Sequence, residues 1–184
     1  IVVNPHKWLF VPVDCSVLFV RDPYLLRRAF SVLPEYLKTP EQGVTHLMDY
    51  GLQLGRRFRS LKLWMVIRAF GVDGIRERIR HHLELAGWLA EQIEAEPGFA
   101  LAAPVALSVV AFRAIEPGLG GEGEDRLNER LLDAVNRRGP VFLSHSKLGG
   151  RTVLRMAIGN LRTEREHVER AWNLVREEAV ALRA

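Results

Sequence analysis

The sequence predicts an α/β chain whose later part is an α+β domain, on three observations. Short apolar, β-branched runs open the chain at residues 1–3, 8–13 and 16–20, separated by tight polar connections. Two stretches of helical periodicity follow at 60–70 and 73–95. From residue 100 onward, strand-like and helix-like segments alternate.

Taken in order, Asn4-Pro5-His6-Lys7 joins the first two runs, which places Lys7 at a strand edge or turn. Pro23 suits the first turn of a short helix ending at Phe30. Residues 33–55 carry Pro34, Pro40, Gly43 and Gly51 with no sustained period and read as a long loop. In residues 60–70, Leu61, Leu63, Trp64, Val66, Ile67 and Phe70 keep helical spacing, and Gly71 supplies a C-cap. The helix over 73–95 gathers Ile75, Ile79, Leu83, Leu85, Ala86, Leu89 and Ile93 largely on one side, with His81 and His82 expected among its solvent-facing charges. Strands are predicted at 100–102, 107–112, 141–143 and 153–158, with a helix at 124–137. The last helix starts at Thr163, takes Glu166 as the second half of a capping box, and buries Val168, Ala171, Trp172, Val175 and Ala179. A domain boundary is expected between residues 61 and 62.

Bulk properties exclude little. A 48% hydrophobic and 26% charged composition is ordinary for a soluble globular protein. The net charge of +4 comes from 26 basic residues interspersed with 22 acidic ones, which does not favour a nucleic-acid partner. The single cysteine, Cys15, cannot form an intramolecular disulfide, and no apolar run reaches the roughly 18 residues of a membrane span. A cytoplasmic protein without a membrane or nucleic-acid partner is expected. No His, Cys and carboxylate cluster has metal-ligand spacing. The β-branched start Ile1-Val2-Val3, with no initiator Met, suggests entry into a strand already under way, hence a fragment.

Three blocks carry chemistry. Asn4-Pro5-His6-Lys7-Trp8, continued by Leu9-Phe10-Val11 and Asp14-Cys15-Ser16, resembles the lysine motif of the group II pyridoxal-phosphate decarboxylases, which are fold type I enzymes. Leu33-Pro34-Glu35-Tyr36-Leu37-Lys38 resembles their mobile active-site loop. Leu54-Gly55-Arg56-Arg57-Phe58-Arg59-Ser60-Leu61-Lys62-Leu63-Trp64 resembles the branch acting on aromatic amino acids and differs from the glutamate decarboxylases after Gly-Arg. Gly149-Gly150-Arg151 and residues 153–160 resemble the family's small domain, where Arg155 suits a structural ion pair.

The resemblance implies that residues 1–61 are the C-terminal part of the large cofactor-binding domain, and 62–184 linking helices plus the small C-terminal domain. It implies pyridoxal 5'-phosphate as cofactor and Lys7 as its Schiff-base lysine. That role needs a primary amine, since only such an amine forms the reversible bond to an aldehyde. Asn4 and His6 would hold the cofactor phosphate and place the ring. Tyr36 would return a proton to the substrate carbon after CO2 leaves, which a phenol can do because it keeps its proton at neutral pH. Relatives that release an aldehyde carry Phe there. Gly55 would approach the partner subunit's active site in a homodimer with shared sites, where a missing side chain permits close approach.

The implied activity is decarboxylation of an aromatic L-amino acid to its amine and CO2. Decarboxylation of glutamate or histidine, and a non-catalytic dimerisation remnant, are the rival readings. Which aromatic amino acid is used stays open. The family's aspartate at the pyridine nitrogen, its ring-stacking histidine and its first phosphate-binding turn precede the lysine and have no counterpart in these 184 residues, so the chain by itself is expected to be inactive.

Overall fold

The computed structural model describes residues 1–31 and 45–183. They form two compact units, Ile1–Gly71 and Val72–Ala184.

The first unit opens with β1 (Val2–Val3) paired antiparallel to β2 (Val17–Leu18), Val2 opposite Leu18 and Val3 opposite Val17. Between them lies α1 (Pro5–Trp8), a single helical turn where the sequence suggested a strand edge or turn. Pro5 accounts for the difference. Its fixed φ is pre-set for a first helical position, and its missing N–H costs nothing there. The chain then folds back, with Leu9 and Val11 both donating their N–H to the Pro5 carbonyl at 3.1 and 3.3 Å, and with Phe10 at φ 59°. Residues 8–13 therefore form no strand, although their apolar run read as one.

The helix expected after Pro23 is α2 (Pro23–Phe30), capped by the Asp22 carboxylate, which accepts the Tyr24 N–H at 2.9 Å. A 3-10 turn, Leu47–Tyr50, buries Asp49 within 3.4 Å of Arg27. Val11 and Cys15 are buried in this unit, whereas Leu52, Phe58 and Trp64 are 92%, 74% and 57% exposed. Apolar surface of that extent commonly marks a face that other protein covers.

The two helices read at 60–70 and 73–95 run on as α3 (Arg59–Ala95), interrupted at Gly71, whose φ of 68° and ψ of 167° are not helical. A left-handed φ is where glycine serves and other residues are strained, so the interruption is written into the sequence.

The second unit is a four-stranded antiparallel sheet in the order β3 (Phe99–Leu101), β4 (Val109–Ala114), β6 (Arg151–Ala157), β5 (Ser144–Leu148), packed with α4 (Gly120–Arg138) and α5 (Arg165–Arg183). Val110 and Phe112 of β4 stand opposite Met156 and Leu154 of β6. These four join Leu85, Ala86, Leu89 and Ile93 of α3 and Val168, Ala171, Trp172 and Val175 of α5 in one core. Phe99 and Phe112 meet Trp172 edge-on, with ring centroids 5.0 and 5.9 Å away. The fully buried Asn128 satisfies Ala114 on both sides, accepting its N–H and donating to its carbonyl, each at 2.8 Å. Gly139 ends α4 at φ 91°, the left-handed cap that glycine favours.

Three expectations are corrected here. No strand forms at 141–143; the strand is the polar Ser144–Leu148, held by its register on β6. His82 is also not at the surface. It is 2% exposed, and its Nε2 donates to the Asn160 carbonyl at 3.1 Å, while its neighbour His81 lies 3.3 Å from Glu164 and is partly exposed. At α5 the capping arrangement sits one residue later than predicted, with the Glu164 N–H donating to His167 Nδ1 at 3.0 Å.

Burial holds the His82 imidazole below its ordinary pKa, against a smaller opposing pull from the Asn160 carbonyl. In the unfolded chain it returns to about 6.5. Between those values the unfolded state binds more protons, so stability rises with pH and is lost as pH falls through the unfolded value. We expect the urea midpoint to drop between pH 7.5 and 5, and His82→Gln, which keeps a donor for Asn160 but does not titrate, to flatten that dependence. An equal pH dependence in both proteins would count against the assignment.

Candidate active site

The lysine turn is built by three consecutive features. Asn4 precedes the helix, Pro5 starts it and is fully buried, and Lys7 donates its backbone N–H to the Asn4 carbonyl at 2.9 Å. The buried proline anchors the turn, and the Lys7 side chain is exposed.

Residues 14–16 hold this turn in place. The Ser16 hydroxyl donates to Asn4 Oδ1 at 2.6 Å. The His6 backbone N–H reaches the Cys15 carbonyl at 3.3 Å, and His6 Nδ1 lies 2.7 Å from the same oxygen. Nδ1 is also 3.2 Å from the Cys15 N–H, but one ring nitrogen cannot donate and accept at once. The shorter contact fixes Nδ1 as the donor to the carbonyl. This leaves Asn4 its two amide N–H donors, suited to an anion beside a primary amine, and leaves His6 Nε2 as the ring's acceptor.

The residues that sequence reasoning left without a role are Asp14, Ser16 and Arg59. Arg59, the first residue of α3, donates from Nε to Asp14 Oδ2 at 2.8 Å. The Cys15 thiol lies 3.9 Å from the Arg59 carbonyl. The Arg59 guanidinium, with Lys62 adding to it, holds the Asp14 carboxyl below the usual carboxylate range. The signal available in the sequence was Asp14-Cys15-Ser16 itself, quoted above only as part of the motif.

Gly55 lies in a bend four residues before Arg59, the residue that bonds Asp14. A Cβ placed on Gly55 would meet nothing within 4 Å. Among the described residues no contact therefore demands glycine there. Tyr36 lies outside the described residues. Arg155 sits on β6 opposite Ala111 and Ser144, in the second unit. Among the described residues no His, Cys, Asp and Glu side chains group so as to hold a metal ion, and no helix is long and apolar enough to cross a membrane.

Residues 1–115 match the pyridoxal-dependent decarboxylase conserved domain, and the chain belongs to that family. It is 40% identical over 185 residues to tyrosine decarboxylase 2 of Narcissus pseudonarcissus, covering 99% of this chain and 37% of that protein. It is 41% identical over 180 residues to phenylacetaldehyde synthase of Arabidopsis thaliana, covering 96% and 37%. The crystal structure of Oryza sativa TDC with PLP and tryptamine superposes with a TM-score of 0.89 at 36% identity, over 98% of this chain and 38% of that one. The chain thus spans somewhat over a third of the length of the relatives it matches.

Proposed function

We propose that this chain is part of a pyridoxal-phosphate-dependent enzyme that converts an aromatic L-amino acid to its amine and CO2. The observation that carries the reading is the lysine turn: within four consecutive residues Asn4 and Lys7 offer an amide and a primary amine as donors, and His6 a ring nitrogen held in place through its other nitrogen. Such donors fit an aldehyde-bearing phosphate ester. The similarity to a structure holding both PLP and tryptamine supports the same ligand and product class.

Lys7 would hold the cofactor covalently, and Asn4 and His6 would take its phosphate and set the ring. When bound, the cofactor supplies an electron sink for the pair left by the departing CO2. Pro5 and residues 14–16 keep the lysine turn from moving while that bond breaks, which preserves the orientation the reaction needs. Tyr36 would deliver a proton to the substrate carbon. Residues 1–61 would be the end of the large domain and 62–184 the linking helices and small domain. The protein would work in the cytoplasm as a homodimer with shared sites; the dimer agrees with the exposed apolar side chains of the first unit and with a glycine at position 55 that no contact among the described residues requires.

The test is amine release from a panel of tryptophan, tyrosine, phenylalanine, dihydroxyphenylalanine, glutamate and histidine, by the protein as its gene encodes it. We expect kcat/KM for at least one aromatic substrate to exceed that for glutamate and histidine by about 100-fold or more, since a pocket built for an apolar ring leaves a second charge unpaired. Preference for glutamate or histidine would overturn the substrate class. Inertness toward all six, with the cofactor bound, would favour the non-catalytic reading.

A further inference from the structure

We propose that the Asp14–Arg59 pair is a positioning element of the lysine site, tying the segment behind the lysine turn to the start of α3. The inference rests on the function proposed above and adds to it two residues outside the set Asn4, His6 and Lys7.

The geometry is a strap of three consecutive residues, each with its own attachment. Ser16 bonds the Asn4 side chain at 2.6 Å, Cys15 takes both the His6 backbone N–H and its ring, and Asp14 accepts from Arg59 at 2.8 Å. Two of the three also reach the same residue on the far side, since the Cys15 thiol approaches the Arg59 carbonyl. Arg59 in turn donates its backbone N–H to the Arg57 carbonyl at 2.8 Å, in the turn that launches α3. A displacement of residues 14–16 therefore carries His6 and Asn4 with it, and with them the turn that presents Lys7. Residues 6 and 15, and residues 14 and 59, are far apart in sequence, so no local propensity replaces these contacts. Arg59 and Asp14 side chains are 27% and 45% exposed, a setting in which a lone ion pair does little for global stability. Its consequence falls on the placement of the turn.

The experiment uses the protein as its gene encodes it, stripped of cofactor and titrated with pyridoxal phosphate, with borohydride reduction and peptide mapping as a second readout. Asp14→Asn and Arg59→Gln should each weaken cofactor binding about fivefold, the upper end for a pair of this exposure. They should lower kcat with KM for the amino acid little changed and leave the unfolding temperature of the cofactor-free protein where it was. Combining them should add little to either alone. Arg59→Lys, which keeps a cation in reach, should recover most of the affinity. Glu169→Gln, which breaks the equally short Arg165–Glu169 pair on α5, is the control and should change nothing. If Asp14→Asn binds cofactor as tightly as Glu169→Gln, or lowers the unfolding temperature with affinity intact, the positioning role is wrong. If the parent itself yields no reduced adduct on Lys7, both this role and the function it rests on fall. An adduct in the parent with unchanged affinity in Asp14→Asn removes only the role.

Discussion

Replacing Lys7 by alanine is expected to abolish turnover while leaving the fold intact. The two halves of that expectation come from different parts of the residue. Its backbone N–H, bonded to the Asn4 carbonyl, survives the substitution, and alanine is a better helix former within α1. Its side chain is exposed, so truncation opens no cavity, and the stability change should stay within about 0.5 kcal/mol. The amine is what disappears. With it would go the covalent attachment proposed for the cofactor, so kcat should fall by a factor on the order of 10^3 or more. The absorption band near roughly 420 nm that marks a cofactor–lysine imine should vanish with it. Lysine is scarce here: Lys7, Lys38, Lys62 and Lys147 are the four in the chain. Peptide mapping of the borohydride-reduced parent therefore has four possible answers within these residues. Reduced cofactor on Lys38, Lys62 or Lys147, or a Lys7→Ala protein that keeps band and activity, would refute the assignment.

How much of this was legible follows physical lines. Local signals survived. Pro23 announced α2, which the Asp22 carboxylate caps; Gly71 announced the break in α3, and its φ is positive. Strand positions drifted where side chains solved problems with distant partners. The strand read at 107–112 is shifted to Val109–Ala114, where its ladder with β3 pairs Ala114 with Phe99, a partner that no local strand pattern contains. The edge strand Ser144–Leu148 has no apolar run and exists through its ladder with β6. His82 was misread although the signal was present. It stands three and four residues before Leu85 and Ala86 and seven before Leu89, on the core stripe of α3, and the run of charged neighbours obscured that spacing.

The candidate site divides in the same way. Asn4, His6, Lys7 and Gly55 were named from short motifs, where types and order suffice. The strap behind the turn was invisible because its contacts bridge nine residues from His6 to Cys15 and 45 from Asp14 to Arg59. A motif reading finds the groups that do chemistry more readily than those that hold them, because the second set is defined by folding. The exposed apolar side chains of the first unit belong to the same lesson. Leu52, Phe58 and Trp64 are apolar yet stay exposed among the described residues, which no pattern in the sequence announced.

Tyr36→Phe is expected to change the product from an amine to an aldehyde. Overall similarity does not decide between these outcomes, since the chain is 40% identical to a tyrosine decarboxylase and 41% to a phenylacetaldehyde synthase. The decision falls to individual residues, and the family resemblance puts Tyr36 at the loop position where aldehyde-releasing relatives carry Phe. The physical argument turns on one proton. After CO2 departs, the substrate carbon holds an electron pair, and a phenol placed nearby ends the reaction by donating its hydroxyl proton. Phenylalanine differs from tyrosine only by the missing hydroxyl. It has no proton to give. The carbon then persists long enough to be oxidised by dioxygen, and the balance becomes amino acid plus O2 plus water giving aldehyde, CO2, ammonia and H2O2. Amine release should fall by about 10^2- to 10^4-fold, the usual contribution of a positioned proton donor, while CO2 release continues. An oxygen electrode with a peroxide assay reads the change directly, with one O2 consumed per aldehyde formed. A Tyr36→Phe protein that still releases amine at the parent rate without oxygen uptake would show that the proton reaches the carbon from another group.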